Sequence, residues 1–315
     1  MSTANADIVS TADFQAAADF LLAWPTDKVN VTCIHPKRYW IKNGVRGGFM
    51  IEGRSFAKDQ RDAIVAYIKA KNADGFNVYY SVNNPSRDLG RGHPKATKDE
   101  IASVVALHVD GDCPSDAKPG DEMEAAKAEQ VARANAYHYP PSIILDSGGG
   151  TPMYWLLGAA VEVTPENLDQ IEARNLKLAI DMERPDGTYN IDRIMRVPCT
   201  INWPNKAKHR RGRVPVVAGV LFDAPMATYD IEEFAGAEHV AKVRETRERE
   251  SAPLGDIGEV DVPNEIDIER IADEEMRSLI VNGAPAGSDR SAWVYKAACM
   301  MRQFSGRLVT SSTLT

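Results

Sequence analysis

Long hydrophobic runs are absent from this 315-residue chain. The longest, such as 143–145 and 154–157, fall far below the ~20 residues that span a bilayer, so neither a transmembrane segment nor a membrane partner is expected. Residues 1–13 hold no basic cluster and no apolar stretch, which speaks against a secretory signal and for a cytoplasmic protein. Cysteine is scarce. Cys33, Cys113, Cys199 and Cys299 lie far apart and form no CxxC pair, so no zinc ribbon or disulfide framework follows, and reduced packing thiols are expected. A basic excess is lacking too: 45 acids against 37 bases leave a formal charge of −8, which argues against a generic nucleic-acid coat but leaves room for a local basic groove. The deficit is uneven. Residues 228–315 hold 17 acids and 10 bases, the first 227 residues 28 and 27, so the front of the chain is close to neutral.

What is present is an alternation of helix and strand signals. Ser10 and Asp13 have capping-box spacing ahead of Phe14, Ala17, Leu21 and Trp24, an amphipathic helix that Pro25 stops. Residues 29–34, 38–41 and 48–53 read as short strands joined by turns, with Asn43-Gly44 a turn signal. A helix over about 58–71 and a strand over 76–82 follow. Residues 104–109 form a nearly continuous apolar run, the pattern of a strand covered on both faces. The series continues with a helix at 121–138, a strand at 142–145, a glycine loop at 147–150, a strand at 153–157 and a helix at 164–182 with Pro165 at its first position. Strands are expected at 191–197 and 214–221. This interleaving predicts a mixed α/β (α+β) fold.

The last part differs in composition. Residues 1–227 read as one domain, 228–262 as an acidic helix and exposed linker, and 263–315 as a small helical domain in which 291–304 is apolar at helical spacing. The chain ends soon after that helix, so a truncation of a longer protein is expected.

Carboxylates and glycines carry the chemistry. Asp110-Gly111-Asp112 closes the apolar strand, and two carboxylates at i and i+2 on a strand point the same way, suited to hard cations such as Mg²⁺ or Mn²⁺; a solvated Asp-Gly turn is the plain alternative. Ser147-Gly148-Gly149-Gly150 sits between two strands, where backbone N–H groups can converge on an anion, or where a flexible hairpin loop suffices. Asp192, among apolar neighbours, reads as a strand-borne third carboxylate or as a surface acid paired with Arg193 or Arg196. Residues 206–213 hold Lys206, Lys208, Arg210, Arg211 and Arg213 without an acid, and beside the carboxylates and glycine loop this run is read as phosphate-binding. Tyr39-Trp40, Tyr79-Tyr80, Tyr154-Trp155 and Trp203 offer rings for base stacking, although strand aromatics more often pack in cores. Arg87, Arg91, Lys95 and Lys98 form a further basic loop, placed either to follow template phosphates or simply solvated.

These residues resemble the archaeo-eukaryotic primase superfamily, specifically the primase-polymerase domains of phage and plasmid replication proteins. The family pattern is a strand ending in DxD, a Ser-Gly-rich turn before an aromatic strand, and a strand Asp leading into an Arg-x-Pro-Gly-Thr-x-Asn-x-Lys-like segment. Here these read Val105 to Asp112, Ser147 to Trp155, and Asp192 followed by Arg196-Val197-Pro198-Cys199-Thr200-Ile201-Asn202; the upstream segment Asn77 to Asn83 resembles the strand that precedes the DxD. The resemblance covers roughly residues 75–215. It implies a catalytic core with an RNA-recognition-motif-like sheet and two divalent ions, Mg²⁺ or Mn²⁺, on Asp110, Asp112 and Asp192. Those ions would activate a primer 3′-hydroxyl for attack on a nucleoside triphosphate along a single-stranded DNA template. It further implies nucleotide contacts by Ser147, Gly148, Gly149, Arg196, Asn202 and Lys206, leaves DNA to Lys208, Arg210, Arg211 and Arg213, and suggests a helicase domain or subunit as a partner.

Two positions depart from the pattern. Pro152 stands where relatives usually carry a triphosphate-contacting His, and its side chain can neither donate nor accept; His93, His108, His138 or His209 would have to substitute in space. Cys199 stands at the usual Gly, which predicts a different turn geometry and puts phosphate contacts by Thr200 in doubt. Two other readings stand beside the nucleotidyltransferase: a weakly catalytic or non-catalytic replication initiator that binds DNA or seats a helicase, and a metal-dependent nuclease or phosphohydrolase.

Overall fold

The fold was read from a computed structural model, which describes residues 8–42, 45–114, 117–184, 188–224 and 227–237. The chain divides into two units, 1–251 and 252–315, and the described residues all belong to the first. The expected helical domain at 263–315 and most of the acidic stretch lie outside them.

Helix α1 (Phe14–Ala23) begins at Asp13, whose carboxylate accepts from the N–H groups of Gln15 and Ala16, so Asp13 is itself the cap. Strands β1 (Val29–Lys42) and β2 (Val45–Phe56) form one long antiparallel hairpin rather than three short strands. Pro36 and the Gly47-Gly48 pair lie at its register shifts, so residues that signal breaks in the sequence make bulges here. Helix α2 (Arg61–Ala73) starts later than expected because Lys58 is used elsewhere: its ammonium donates to the carbonyls of Leu21, Leu22 and Trp24 at the end of α1. Strand β3 (Asn77–Ser81) pairs with β1, and the short β4 (Asn84–Pro85) pairs with β5 (Ile101–Val109).

Helix α3 (Asp121–Ala136), β6 (Ile143–Asp146), β7 (Met153–Glu162) and α4 (Leu168–Asp181) follow. After them come β8 (Ile194–Arg196), β9 (Ile201–Asn202), the short α5 (Lys206–Arg210), β10 (Val216–Val217), β11 (Gly219–Asp223) and β12 (Thr228–Tyr229). One sheet has the order β2-β1-β3-β8 and is antiparallel throughout; a second runs β11-β6-β7-β5-β4, with β12 parallel to β7, and β9 with β10 makes a small ribbon. The α/β expectation holds.

Strand β5 shows how the sheets share the core. Its residues are buried on both faces: Ala106 joins Tyr154 and Leu156 against α1, α2 and the first sheet, while Leu107 and Val109 join Trp155 and Ile144 against α3 and α4. That double burial is what the unbroken apolar run encodes. Beyond residue 227 the chain still belongs to this unit, since Ile231 and Phe234 are buried in the second of these cores.

Candidate active-site cleft

Strand β5 stops at Val109, and Gly111 turns with φ +40°, so Asp110 and Asp112 sit on a turn and not on one face of a strand. The pleat argument for their common direction therefore does not apply. They are held by the glycine loop instead. Asp112 bridges to Gly150, Thr151 N–H donates to Gly111 O at 2.9 Å, and Cys113 N–H donates to Gly149 O at 3.0 Å. A Cβ on Gly150 would stand 2.6 Å from Asp112 Cα and against the Gly111 carbonyl, so the loop and the turn pack backbone to backbone.

The third segment, 189–203, is mostly irregular, and four buried asparagines fix it. Asn72 accepts from Ile201 N–H and donates to Ile201 O; Asn77 does the same with Trp203; Asn83 donates to Ile191 O and Asn175 to Tyr189 O. Asn77 Oδ1 also accepts from Arg196 Nη1 at 2.9 Å, which together with the Tyr79 ring and hydroxyl aims that guanidinium. Sequence reading missed these asparagines, because isolated asparagines signal turns and carry no spacing of their own.

A cleft of about 180 Å³ opens where the three segments meet. Asp110 and Asp112 line it, with Ser147 and Gly149 from the loop and Arg196 and Asn202 from the third segment. Lys208 of α5 also reaches it, as do Tyr79, Pro152 and Arg193. Gly148 and Arg213 line a neighbouring pocket of about 270 Å³ that also contains Lys127 and Asp146. Lys206, Arg210 and Arg211 are exposed on or just after α5 and are not part of the cleft wall.

Asp192 stands apart. It lies in a turn before β8, not on a strand, and its carboxylate accepts from Lys95 Nζ at 2.9 Å and from Asn190. Burial works to raise this carboxyl, but the hydrogen bonds from Asn190 and Lys95 outweigh it and hold it below the ordinary value. Its neighbour Arg193 does not pair with it; the guanidinium goes to Asp110. Among the described residues no group of three His, Cys, Asp or Glu side chains forms a metal cage. Of the three carboxylates, Asp110 and Asp112 line the cleft and Asp192 does not.

The loop's N–H groups are also engaged. Gly148 N–H donates to Asp146 Oδ1 at 2.6 Å and Gly149 N–H to Ser147 Oγ at 3.3 Å, while Asn202 donates to Ser147 O. No histidine lines the cleft. His108 is wholly buried, where desolvation and then Arg193 push it down to about 3, so it is neutral and structural. Cys199 corrects the sequence expectation: at φ +60° it occupies the left-handed region that suits glycine, so the residue changed and a glycine-type turn is kept, with Thr200 buried and bonded to Val197 O. Tyr80, Tyr154, Trp155 and Trp203 are core residues, leaving Tyr79 at the cleft and Trp40 on the surface. The basic loop is spent on acids: Arg87 pairs with Glu100, Lys95 with Asp192 and Lys98 with Glu172.

No family model matches this chain, and no curated protein sequence matches it. Among solved structures it is similar to the primase-polymerase domain of cyanophage S-2L, with 21% identity over 71% of this chain and 96% of that one, at a TM-score of 0.42. It is also similar to the primase RepB′, at 11% identity over 76% and 65% of the two chains and a TM-score of 0.43. A third is the catalytic domain of primase RepB′ in complex with initiator DNA, at 12% identity, 76% and 98% coverage and a TM-score of 0.41. All three are primase or primase-polymerase structures. Among the described residues no helix is long and apolar enough to cross a membrane.

Proposed function

We propose that the cleft is a nucleotidyl-transfer site that joins nucleoside triphosphates along a single-stranded DNA template, as in a primase-polymerase serving DNA replication. The observation that carries this reading is convergence: the DxD turn, the glycine loop and the Arg196–Asn202 segment, far apart in sequence, line one cleft. Its cationic side, Arg196 and Lys208, suits a triphosphate, and its acidic side suits a divalent cation. Mg²⁺ or Mn²⁺ on Asp110 and Asp112 belongs to the proposal and would supply concentrated positive charge for phosphoryl chemistry. Asp192 joins as a third ligand only by exchanging Lys95, and Arg193 must then leave Asp110. Lys208, Arg210 and Arg211 are proposed to hold template phosphates, with Lys206 and Arg213 at the margins of the nucleotide. A helicase domain or subunit is proposed as the partner.

The test is a labelled primer-template incubated with nucleotides and Mg²⁺ or Mn²⁺, comparing wild type with the Asp110→Ala/Asp112→Ala double variant. Extension by wild type and its loss in the variant are expected; no extension under either metal sinks the reading. A second reading, a DNA-binding initiator with little or no turnover, is favoured by the self-neutralised carboxylates and by Pro152 at the cleft wall. Binding of DNA by both proteins without extension would select it.

A further inference from the structure

The β1–β2 hairpin presents an unusual surface for a strand pair. Trp40 is 50% exposed, Ile41 75% and Phe49 41%. Phe49 stacks on its register partner Tyr39, with ring centroids 4.8 Å apart, which stiffens the ribbon and presents a broad aromatic plate. Trp40 has no such cover. The strand beside it carries Gly47 and Gly48; a Cβ on Gly47 would only just touch Trp40, and one on Gly48 would meet nothing within 4 Å. A ring face beside two side-chain-free residues leaves open space for another flat group.

Charge gathers on the same ribbon. Residues 37–54 hold five bases, Lys37, Arg38, Lys42, Arg46 and Arg54, and one acid, Glu52, in a chain whose net charge is −8. Glu52 is taken by Lys71 and Arg38 is held by Asp74 through two hydrogen bonds, which among the described side chains leaves Lys37 as the exposed base nearest Trp40 in sequence. Aromatic faces beside cations are what single-stranded nucleic acid requires, since its bases stack and its phosphates seek charge. Duplex DNA hides its base faces.

We propose that the Trp40 face of the β1–β2 hairpin is a single-stranded DNA docking site, in which Trp40 stacks on a base and Lys37 holds a flanking phosphate. The site is separate from the cleft. Tyr79 at the cleft pairs with Thr32, and Trp40 lies eight residues further along β1, roughly 26 Å at strand rise. The stacking site rests on the hairpin, and the choice of DNA over RNA rests on the function proposed above.

The test is fluorescence anisotropy with the full chain in EDTA, without nucleotide, using labelled dT20, an abasic 20-mer, U20 and a 20-base-pair duplex. Trp40→Ala is expected to weaken dT20 binding roughly 5- to 150-fold, Trp40→Phe to restore most of it, and the abasic strand to be bound weakly by wild type and equally by Trp40→Ala. Lys37→Ala is expected to flatten the slope of log affinity against log salt by about 0.7. Unchanged dT20 affinity in a folded Trp40→Ala protein, no binding by wild type, or equal affinity for the abasic strand overturns the proposal; tighter binding of U20 or duplex overturns its assignment to single-stranded DNA. The Asp110→Ala/Asp112→Ala protein should bind dT20 as wild type does. Absence of extension by the wild-type protein under either metal, with Trp40-dependent binding intact, would therefore sink the transfer reading alone.

Discussion

Placing a single methyl group on Gly150 tests how the cleft is built. An alanine Cβ there would stand 2.6 Å from Asp112 Cα and closer still to the Gly111 carbonyl, where ordinary contact begins near 3.4 Å. Neither neighbour can swing aside, because both are backbone: Thr151 N–H is bonded to Gly111 O at 2.9 Å and Asp112 is bridged to Gly150. Relief requires the DxD turn and the glycine loop to separate by about 1 Å. Overpacking of this kind costs about 1–3 kcal/mol, or about 2–4 °C of melting temperature per kcal/mol for a unit of this size. The same displacement moves Asp112, and a 1 Å error at a reacting group costs about 100-fold in rate. Gly150→Ala is therefore expected to melt several degrees lower and to lose extension far more than its folded fraction explains. Gly219→Ala is the control, since a Cβ there meets nothing within 4 Å. If Gly150→Ala melts with wild type and Gly219→Ala, the loop does not press on the turn and the account of how Asp112 is held is wrong.

Other expectations follow from the same geometry. Asn72→Ala strands Ile201 N–H and two buried carbonyls, and should cost about 2–4 kcal/mol in chemical denaturation; a loss under 1 kcal/mol would mean water replaces the amide. At Cys199, φ +60° predicts that glycine is tolerated and that the β-branched Cys199→Val loses about 1–2 kcal/mol, so equal melting of the two variants would refute the left-handed turn. His35 Nδ1 accepts from the N–H groups of Lys37 and Arg38, and burial, then Arg38, holds its pKa below the ordinary value. A depressed histidine contributes stability that is complete above the unfolded value near 6.5 and is lost as pH falls below it, so the protection of the Lys37 and Arg38 amides, measured against the intrinsic exchange rate at each pH, should fall between pH 7 and 5, and unchanged protection would refute it. Removing the guanidinium from Asp110 by Arg193→Gln should tighten Mn²⁺ binding, measured by electron paramagnetic resonance, by about tenfold or more; a charge about 4 Å from a divalent ion is worth ~2 kcal/mol even at the dielectric of water. Unchanged or weaker Mn²⁺ binding would refute it.

What the sequence disclosed depends on whether the signal was local. Strand β5 was legible because double-sided burial leaves an apolar run, α1 because period and capping agree, and α3 from its Ala- and Glu-rich composition, with no side-chain cap at its start. The β1–β2 hairpin was legible as strands but not as one ribbon, since Pro36 and Gly47-Gly48 look like ends when the partner strand that tolerates them is unseen. In the cleft, residues named from motif order, Asp110, Asp112, Ser147, Arg196 and Asn202, do meet. The partners that set their state do not follow from order: nothing near Asp110 in sequence points to Arg193, 83 residues away, and nothing near Asp192 points to Lys95, 97 residues away.

Those pairings are the main physical fact about the site. Two carboxylates brought beside a cleft must either bind cations or be neutralised from within, because unpaired charge at partly buried positions is costly. Of the three motif carboxylates two are neutralised in this way, Asp110 at the cleft by Arg193 and Asp192, which is not part of the cleft wall, by Lys95; in the neighbouring pocket Asp146 takes the Gly148 N–H. Under the proposed function the Arg193–Asp110 pair is a contact that a metal ion would have to replace, and the Lys95–Asp192 pair a second one where Asp192 joins as a ligand. The affinity of the cleft is then a difference between two sets of ionic contacts, not a sum of new ones, which makes a second, independent hold on the DNA strand valuable. A hairpin that captures single-stranded DNA about 26 Å away raises the local concentration of template without drawing on the cleft's own binding energy. On this argument Trp40→Ala should raise the template concentration needed for half-maximal extension while leaving the rate at saturating template unchanged, and a fall in the saturated rate would show that hairpin and cleft do not act separately.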